Sequence, residues 1–367
     1  SSAASDVYKR QSHIRTLKKT VRWVVGIVLG VYIGTIVLLN IPNIQQAMSV
    51  FVAEELSEVL NTKVVIGRIN MGLLNRIIID DVLLDDQSGQ EMLKVTRLSA
   101  KFDIMPFFKG KISISSVQLF GFNINLRKET PDFPPNFKFV LDAFASKDTV
   151  KKENSLDLRI NSILIRRGRM SYHVLSEEET PGKFNAKHIQ LQNIIANISL
   201  KALSKDSLNL GIKRLSLDEK ASGFSLKKMS LKLVANNKQT NIDNFTIELP
   251  ETSLKLDTIH LEYDSLKAFD RFTEQVHFSF RTLPSQVTLK DISPFVPILS
   301  HFKEPVTLDM EVKGTVDQLT CSHLEITADD RQFRLRGDVS LQDLSRPQDA
   351  YVYGTLSELS ANTVWAT

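Results

Sequence analysis

Most of this 367-residue chain alternates apolar and polar residues with a period of two. Alternation of that kind sends every second side chain to one face of an extended strand, and that face must be covered for the strand to be stable. Val64 and Ile66, Ile112 and Ile114, Val117 and Leu119, and Ile124 and Leu126 set the pattern. Turn signals such as Asp86-Gln87-Ser88-Gly89 and Lys109-Gly110 separate the runs. Further on come Leu156, Leu158 and Ile160; Leu215 and Leu217; Leu231 and Leu233; Phe245 and Ile247; Leu254 and Leu256; Ile259 and Leu261; Phe278 and Phe280; Leu308, Met310 and Val312; Phe333 and Leu335; and Val339 and Leu341. Only Phe137–Phe144 and Pro294–Phe302 read as short helices in this part. The expected fold is therefore mainly β: a long antiparallel meander with one apolar and one polar face, curled into an elongated groove. Too few helices are available to cover the apolar face, so a second sheet, curling of the sheet on itself or an apolar ligand must close it. Leu215, Leu217, Leu231, Leu233, Leu254, Leu256, Ile259, Leu261, Phe278 and Phe280 are the expected lining. Self-similarity is loose, as in Phe224-Ser225-Leu226 followed by Met229 to Leu233, and resembles a repeat solenoid without a strict period.

The N-terminal part follows other rules. Trp23 to Leu39 carries no charge, and with Val21 and Ile41 at its margins it approaches the roughly 20 residues that span a bilayer. His13, Arg15, Lys18, Lys19 and Arg22 precede it, whereas Asn40, Pro42 and Asn43 follow. The positive-inside rule then puts the N-terminus in the cytoplasm and the bulk of the chain outside. LNIPNIQQA offers no clear small-residue cleavage site, so an uncleaved single-pass anchor is expected. Gly26, Gly30 and Gly34 leave a small-residue stripe on one helix face, where a transmembrane helix partner could pack, although glycine is common in such helices. Ile44, Met48, Phe51, Val52, Leu56, Val59 and Leu60 recur at helical spacing among polar residues and form an amphipathic helix. Its apolar face must lie on the β region that follows or in the interface of the membrane's outer leaflet.

The expected divisions are a cytoplasmic tail over 1–20, the anchor over 21–41, the amphipathic helix over 42–62 and an N-terminal β domain over 63–127. A proline-rich linker with a short helix follows over 128–154, then β-groove repeats over 155–367. Residues 1–11 lack periodicity and are expected not to belong to the natural chain.

Little in the sequence suggests catalysis. Hydrophobic residues at 42% and charged residues at 24% are enough for a packed core, and a net charge of +4 spread over both signs leaves no nucleic-acid footprint. The lone Cys321 allows no internal disulfide. It lies beside Ser322 and His323 in a strand-like stretch, where alternation is expected to turn the histidine away from the thiol. The seven histidines, His13, His173, His188, His260, His277, His301 and His323, show no spacing of a helical metal site and read as surface imidazoles. Asp80, Asp81, Asp85 and Asp86 are dense, but Asp85 to Glu91 misses the order of a calcium loop and reads as a solvated turn. Arg166, Arg167 and Arg169 around Gly168 read as a solvated hairpin tip, with phospholipid headgroups as an alternative contact. No phosphate loop or nucleophile elbow occurs. The expectation is a protein that is not an enzyme and uses no cofactor or metal.

Certain residues carry a resemblance. The anchor and amphipathic helix, then Val64-Val65-Ile66-Gly67-Arg68-Ile69, Ile79 to Gly89 running on to Met92-Leu93, and Gly110 to Leu119 resemble the N-terminal region of the AsmA-like family, particularly its TamB branch as found in Bacteroidota. The motifs cover about residues 20–127 and are structural, so they transfer no functional residue. The resemblance implies an inner-membrane anchor, a periplasmic body and a long β-groove that conducts phospholipid towards the outer membrane. It also implies a role in outer-membrane protein assembly, with a TamA- or BamA-like β-barrel partner contacted through further C-terminal sequence. The chain is accordingly expected to be the N-terminal part of a longer protein. The residues alone leave open a scaffold closed by its own side chains.

Overall fold

The computed structural model describes residues 2–72, 75–103, 113–144, 161–203, 207–328, 333–346 and 349–362, with side chains from residue 18 onward in these ranges apart from 144, 202 and 203. The expected turn at Lys109-Gly110, the strand residue Ile112 and the run Leu156–Ile160 lie outside the described residues.

Two helices precede the sheet, α1 (Ser2–Leu39) and α2 (Pro42–Leu60). The 22-residue stretch Lys18–Leu39 of α1 is long and apolar enough to cross a bilayer, and it fits a single-pass membrane anchor. Pro42 opens α2, where its missing N–H costs no hydrogen bond. Asn61 closes it in the left-handed conformation, and Thr62 N–H reaches back to the Ser57 carbonyl in a Schellman arrangement. Met48, Val52, Ala53, Leu56 and Leu60 of α2 pack on Val64, Ile66, Ile69, Leu84 and Met92, so this stripe lies on the sheet. Phe51 and Val59, expected on the same stripe, are exposed instead.

Among the described residues, one sheet holds seventeen strands. They are β1 (Val64–Gly72), β2 (Arg76–Asp85), β3 (Glu91–Phe102), β4 (Ile114–Lys128), β5 (Ser162–Val174), β6 (His188–Leu203), β7 (Ser207–Glu219), β8 (Ser225–Asn236) and β9 (Gln239–Glu248). Then follow β10 (Ser253–Leu256), β11 (Ile259–Glu262), β12 (His277–Arg281), β13 (Ser285–Thr288), β14 (Pro305–Gly314), β15 (Gln318–Ala328), β16 (Phe333–Gln342) and β17 (Tyr351–Ala361). Each pairs with its neighbour in sequence, except that β10 and β11 lie end to end along β9, and β12 and β13 do the same along β14. The seventeen strands therefore fill fifteen rungs.

One joint departs from the antiparallel expectation: β4 and β5 are parallel, from Ser116↔Ser162 to Lys128↔Val174. A parallel pair needs a long crossover, and residues 129–161 provide it; a third helix, α3 (Lys138–Phe144), lies there. Phe137, Phe139 and Val140 from this connection join α2 over the start of the sheet. The short helix expected at Pro294–Phe302 is a 3-10 turn over Pro297–His301.

The ladder is also interrupted at one level in strand after strand. Asp81 in β2, Gly121 in β4, Arg167 in β5, Asn193 in β6, Asn244 in β9 and His323 in β15 have positive φ. Register shifts occur between Ile165 and Met170, Gln192 and Ile195, Ile212 and Leu217, Ser230 and Lys232, Asp309 and Glu311, Cys321 and Leu324, and Arg336 and Gly337. The gaps between β10 and β11 and between β12 and β13 continue the line. Bulges bend a strand and increase its twist, so a line of bends runs lengthwise down the sheet. Arg166–Arg169 is thus a bulge inside β5, not a hairpin tip. Gly168 is required there, because a Cβ would stand 2.4 Å from the ring of buried Phe122.

Candidate functional site

Register converts the alternation into continuous apolar rows that cross the strands. One row runs Ile69, Ile79, Leu98, Leu119, Ile165, Ala196, Leu215, Met229, Ile247 and Leu254, over ten successive rungs without a polar residue. Beside it run Met71, Ile77, Ala100, Val117, Ile163, Ile198, Ile212 and Leu231. Leu210, Leu233, Ile242 and Ile259 form a third row. A fourth carries Leu261, Phe278, Gly314, Leu319, Leu341 and Val352, and a fifth Phe280, Val312, Cys321, Val339 and Gly354.

All ten expected lining residues fall on this face. Leu215 and Leu254 stand in the first row, Leu231 in the second, Leu233 and Ile259 in the third, Leu261 and Phe278 in the fourth and Phe280 in the fifth. Leu217 pairs with Leu226 and packs with the cluster of Val95, Phe122 and Ile194, and Leu256 pairs with Phe245. Nine of the ten are half-buried and Leu256 is buried. The Phe278 and Phe280 rings lie parallel, with centroids 6.2 Å apart.

The cover over this face changes along the sheet. At β1–β3 it is α2, Phe137 and the first turn of α3. From β2 to β7 the next cluster, around Val95, Phe122 and Ile194, is made of strand residues alone. Because the strands form one sheet, a second sheet is not the cover among the described residues. In the anchor, Trp23, Gly26, Gly30 and Gly34 are exposed and Leu39 is half-buried; a Cβ on any of the three glycines would meet nothing within 4 Å. The anchor also touches the sheet: Tyr32 donates to the Asn75 side chain over 3.4 Å, and Asn40 donates to the Met71 carbonyl over 2.8 Å. Eight residues of helix amount to about 12 Å, so Asn75, just before β2, lies alongside the apolar span.

No protein-family model, curated protein or solved structure matches this chain.

The strand ends are held by carboxylates that sequence reading treats as solvated or passes over. Asp86 is 2% exposed and accepts from the amides of Ser88 and Gln90, from Asn136 and from Arg127. Burial alone would raise its carboxyl, but these donors together outweigh it and hold the group below the usual carboxylate range. Glu219, 3% exposed, behaves alike: burial works upward, while the Ser222 hydroxyl and the amides of Gln190, Ser222 and Ala221 prevail and lower it.

The opposite face is more polar, although Val65, Ile78, Leu83, Phe120 and Leu164 also lie on it. Arg68, Asp80, Asp81, Arg97, Phe120 and Arg167 line a cavity of about 660 Å³ beside the bends, with Arg97 paired to Asp80 at 2.6 Å. Cys321 is buried, and burial together with nearby Asp338 raises its thiol, which keeps it protonated and unreactive. Alternation does not part this pair as expected, because His323 lies two residues after Cys321 and in a regular strand would share its face; the bulge is what turns the histidine out to solvent. His173 and His188, expected as surface imidazoles, meet across the β5–β6 hairpin as a register pair, and His188 is buried. Fifteen residues separate them in sequence, so only the hairpin pairing, not chain spacing, could have joined them.

Proposed function

We propose that this chain is a membrane-anchored carrier of phospholipid acyl chains, with the apolar sheet face serving as a groove that leads away from the bilayer. The observation that carries the reading is the row from Ile69 to Leu254, ten rungs of apolar side chains on a single sheet. Each methylene exposed to water costs about 0.8 kcal/mol, so a two-chain lipid faces on the order of 20 kcal/mol in an aqueous gap. Ten rungs at about 4.8 Å extend roughly 43 Å, and a continuous apolar row over that distance would remove much of the penalty. The line of bends supports a trough, since a sheet creased lengthwise encloses one of its faces. Contact between Tyr32 and Asn75 supports loading from the membrane, because it sets the start of the rows beside the apolar span.

The resemblance to the TamB branch of the AsmA-like family agrees with this reading. With the basic residues before the span kept in the cytoplasm, the anchor lies in an inner membrane and the sheet in the periplasm. The reading is one of transport, not catalysis, and involves no cofactor or nucleic acid. A second reading, assembly of outer-membrane β-barrel proteins, draws on β17, which pairs only with β16 among the described residues and exposes Tyr351, Val352, Tyr353, Leu356 and Leu359. An edge of that kind can add a partner's strand.

Photo-crosslinking in a diderm host separates the two. With the full chain carrying a photoreactive residue at Leu233 or Phe280 on the apolar face, or at Lys232 on the polar one, phospholipid adducts are expected from the first two positions only. Adducts from none of them, with nascent barrel protein captured at Leu359, would replace the carrier by the assembly factor.

A further inference from the structure

The hairpin between β5 and β6 gathers three metal-binding groups that the lipid reading does not use. His173 is the penultimate residue of β5, His188 begins β6, and Glu179 lies on the connection between them. The two Nδ1 atoms stand 3.1 Å apart. Oε1 of Glu179 is 3.8 Å from the first and 4.0 Å from the second. A triangle with these edges has its centre about 2.1 Å from every corner, the length of a zinc–nitrogen or zinc–oxygen bond.

The surroundings point the same way. His188 is 7% exposed, and its Nε2 lies 2.9 Å from the Glu177 carbonyl. A carbonyl oxygen only accepts, so Nε2 carries the proton and Nδ1 of the neutral ring presents its lone pair to the other two groups. An outer hydrogen bond of this kind orients a histidine ligand in most metal sites. Lys187 binds Glu177 at 2.6 Å and helps to hold that carbonyl's residue in place.

We propose that His173, Glu179 and His188 bind one divalent first-row transition ion of the zinc class. Two imidazole nitrogens and a carboxylate suit zinc, cobalt or nickel better than calcium or magnesium, which take oxygen donors. Without metal, one proton lies between the two Nδ1 atoms. Binding displaces it: the single proton of His173 moves from Nδ1 to Nε2 by way of solvent, so that both Nδ1 lone pairs face the ion and no net proton is lost. The ion's fourth position stays open to water. Its structural effect is to tie Glu179 to the ends of both strands. The same connection carries Phe184, whose N–H donates to the Pro294 carbonyl over 2.8 Å and whose ring meets Phe295 at 4.8 Å. A bound ion would thereby stiffen a contact between the β5–β6 and β13–β14 connections.

The test uses the full chain in detergent, stripped with chelator and titrated with Co(II). One equivalent is expected to bind and give the intense visible band of a four-coordinate site, and Zn(II) is expected to abolish that band by displacement. His173→Ala and Glu179→Gln, both at least partly exposed positions, should each weaken binding at least about tenfold, and His277→Ala should leave it unchanged. Absence of saturable binding would overturn the proposal, and so would saturable binding that survives both substitutions. Circular dichroism of each variant identifies a folding failure, and Glu179→Gln keeps the test decisive if His173→Ala misfolds.

Discussion

Strands β1–β3 and strands β15–β17 share one pattern of alternation, yet their apolar faces meet different surroundings. Ile69 is 5% exposed beneath α2, whereas Leu359 is 62% exposed on β17. The strands do not differ in pattern; what differs is the connection that lies over them. α2 reaches β1 because it directly precedes it, and Phe137 with the first turn of α3 reaches the same place because the connection after β4 carries it there. Alternation therefore encodes a face and leaves its cover to be supplied.

The comparison is broken most directly by truncating one residue from each end. Ile69→Ala removes packed methylenes and should cost about 2 to 5 kcal/mol, while Leu359→Ala should change stability by no more than about 0.5 kcal/mol. Chemical denaturation of both variants checks this, and an equal loss at Leu359 would mean that the far end is covered after all. A smaller effect is expected between the two ends. Gly168→Ala drives a Cβ into the Phe122 ring, and overpacking of this kind should cost roughly 1 to 3 kcal/mol, read as a lowered Tm. An unchanged Tm would show that the bend in β5 relaxes freely.

The smallest of the three sharpens the comparison at the strand ends, which polar contacts hold. Glu219→Gln replaces an acceptor oxygen by a donor and should cost roughly 1 to 2 kcal/mol. Glu219 and Asp86 both titrate below their ordinary values of 4.5 and 3.8 in the folded chain. Their stabilisation is therefore full above those values and is lost as the pH falls through the lowered ones. Denaturation midpoints measured from pH 6 downward should fall over that acid window, and less steeply in Glu219→Gln.

Much of the fold was legible because its signals are local. The uncharged stretch from Trp23 to Leu39 and the period-two runs need only a short window, and the mainly β class follows from them. The parallel joint was not legible, since turn signals mark where a strand stops and not on which side the chain returns. Arg166–Arg169 read as a turn for a related reason: a glycine among charged residues has the same composition in a bulge as in a hairpin tip. Asp86 read as solvated because its donors, Asn136 and Arg127, are about fifty and forty residues away. In the apolar rows, alternation identified the members, but only register shows that Leu215 stands beside Met229 and Leu231 beside Ile212.

The line of bends has a mechanical consequence. Along it the ladder already lacks regular pairs, so the upper and lower halves of each strand can swing against one another while the rungs stay joined. Such a sheet resists stretching along its length but yields across its width, as a bound book lies open or shut about its spine.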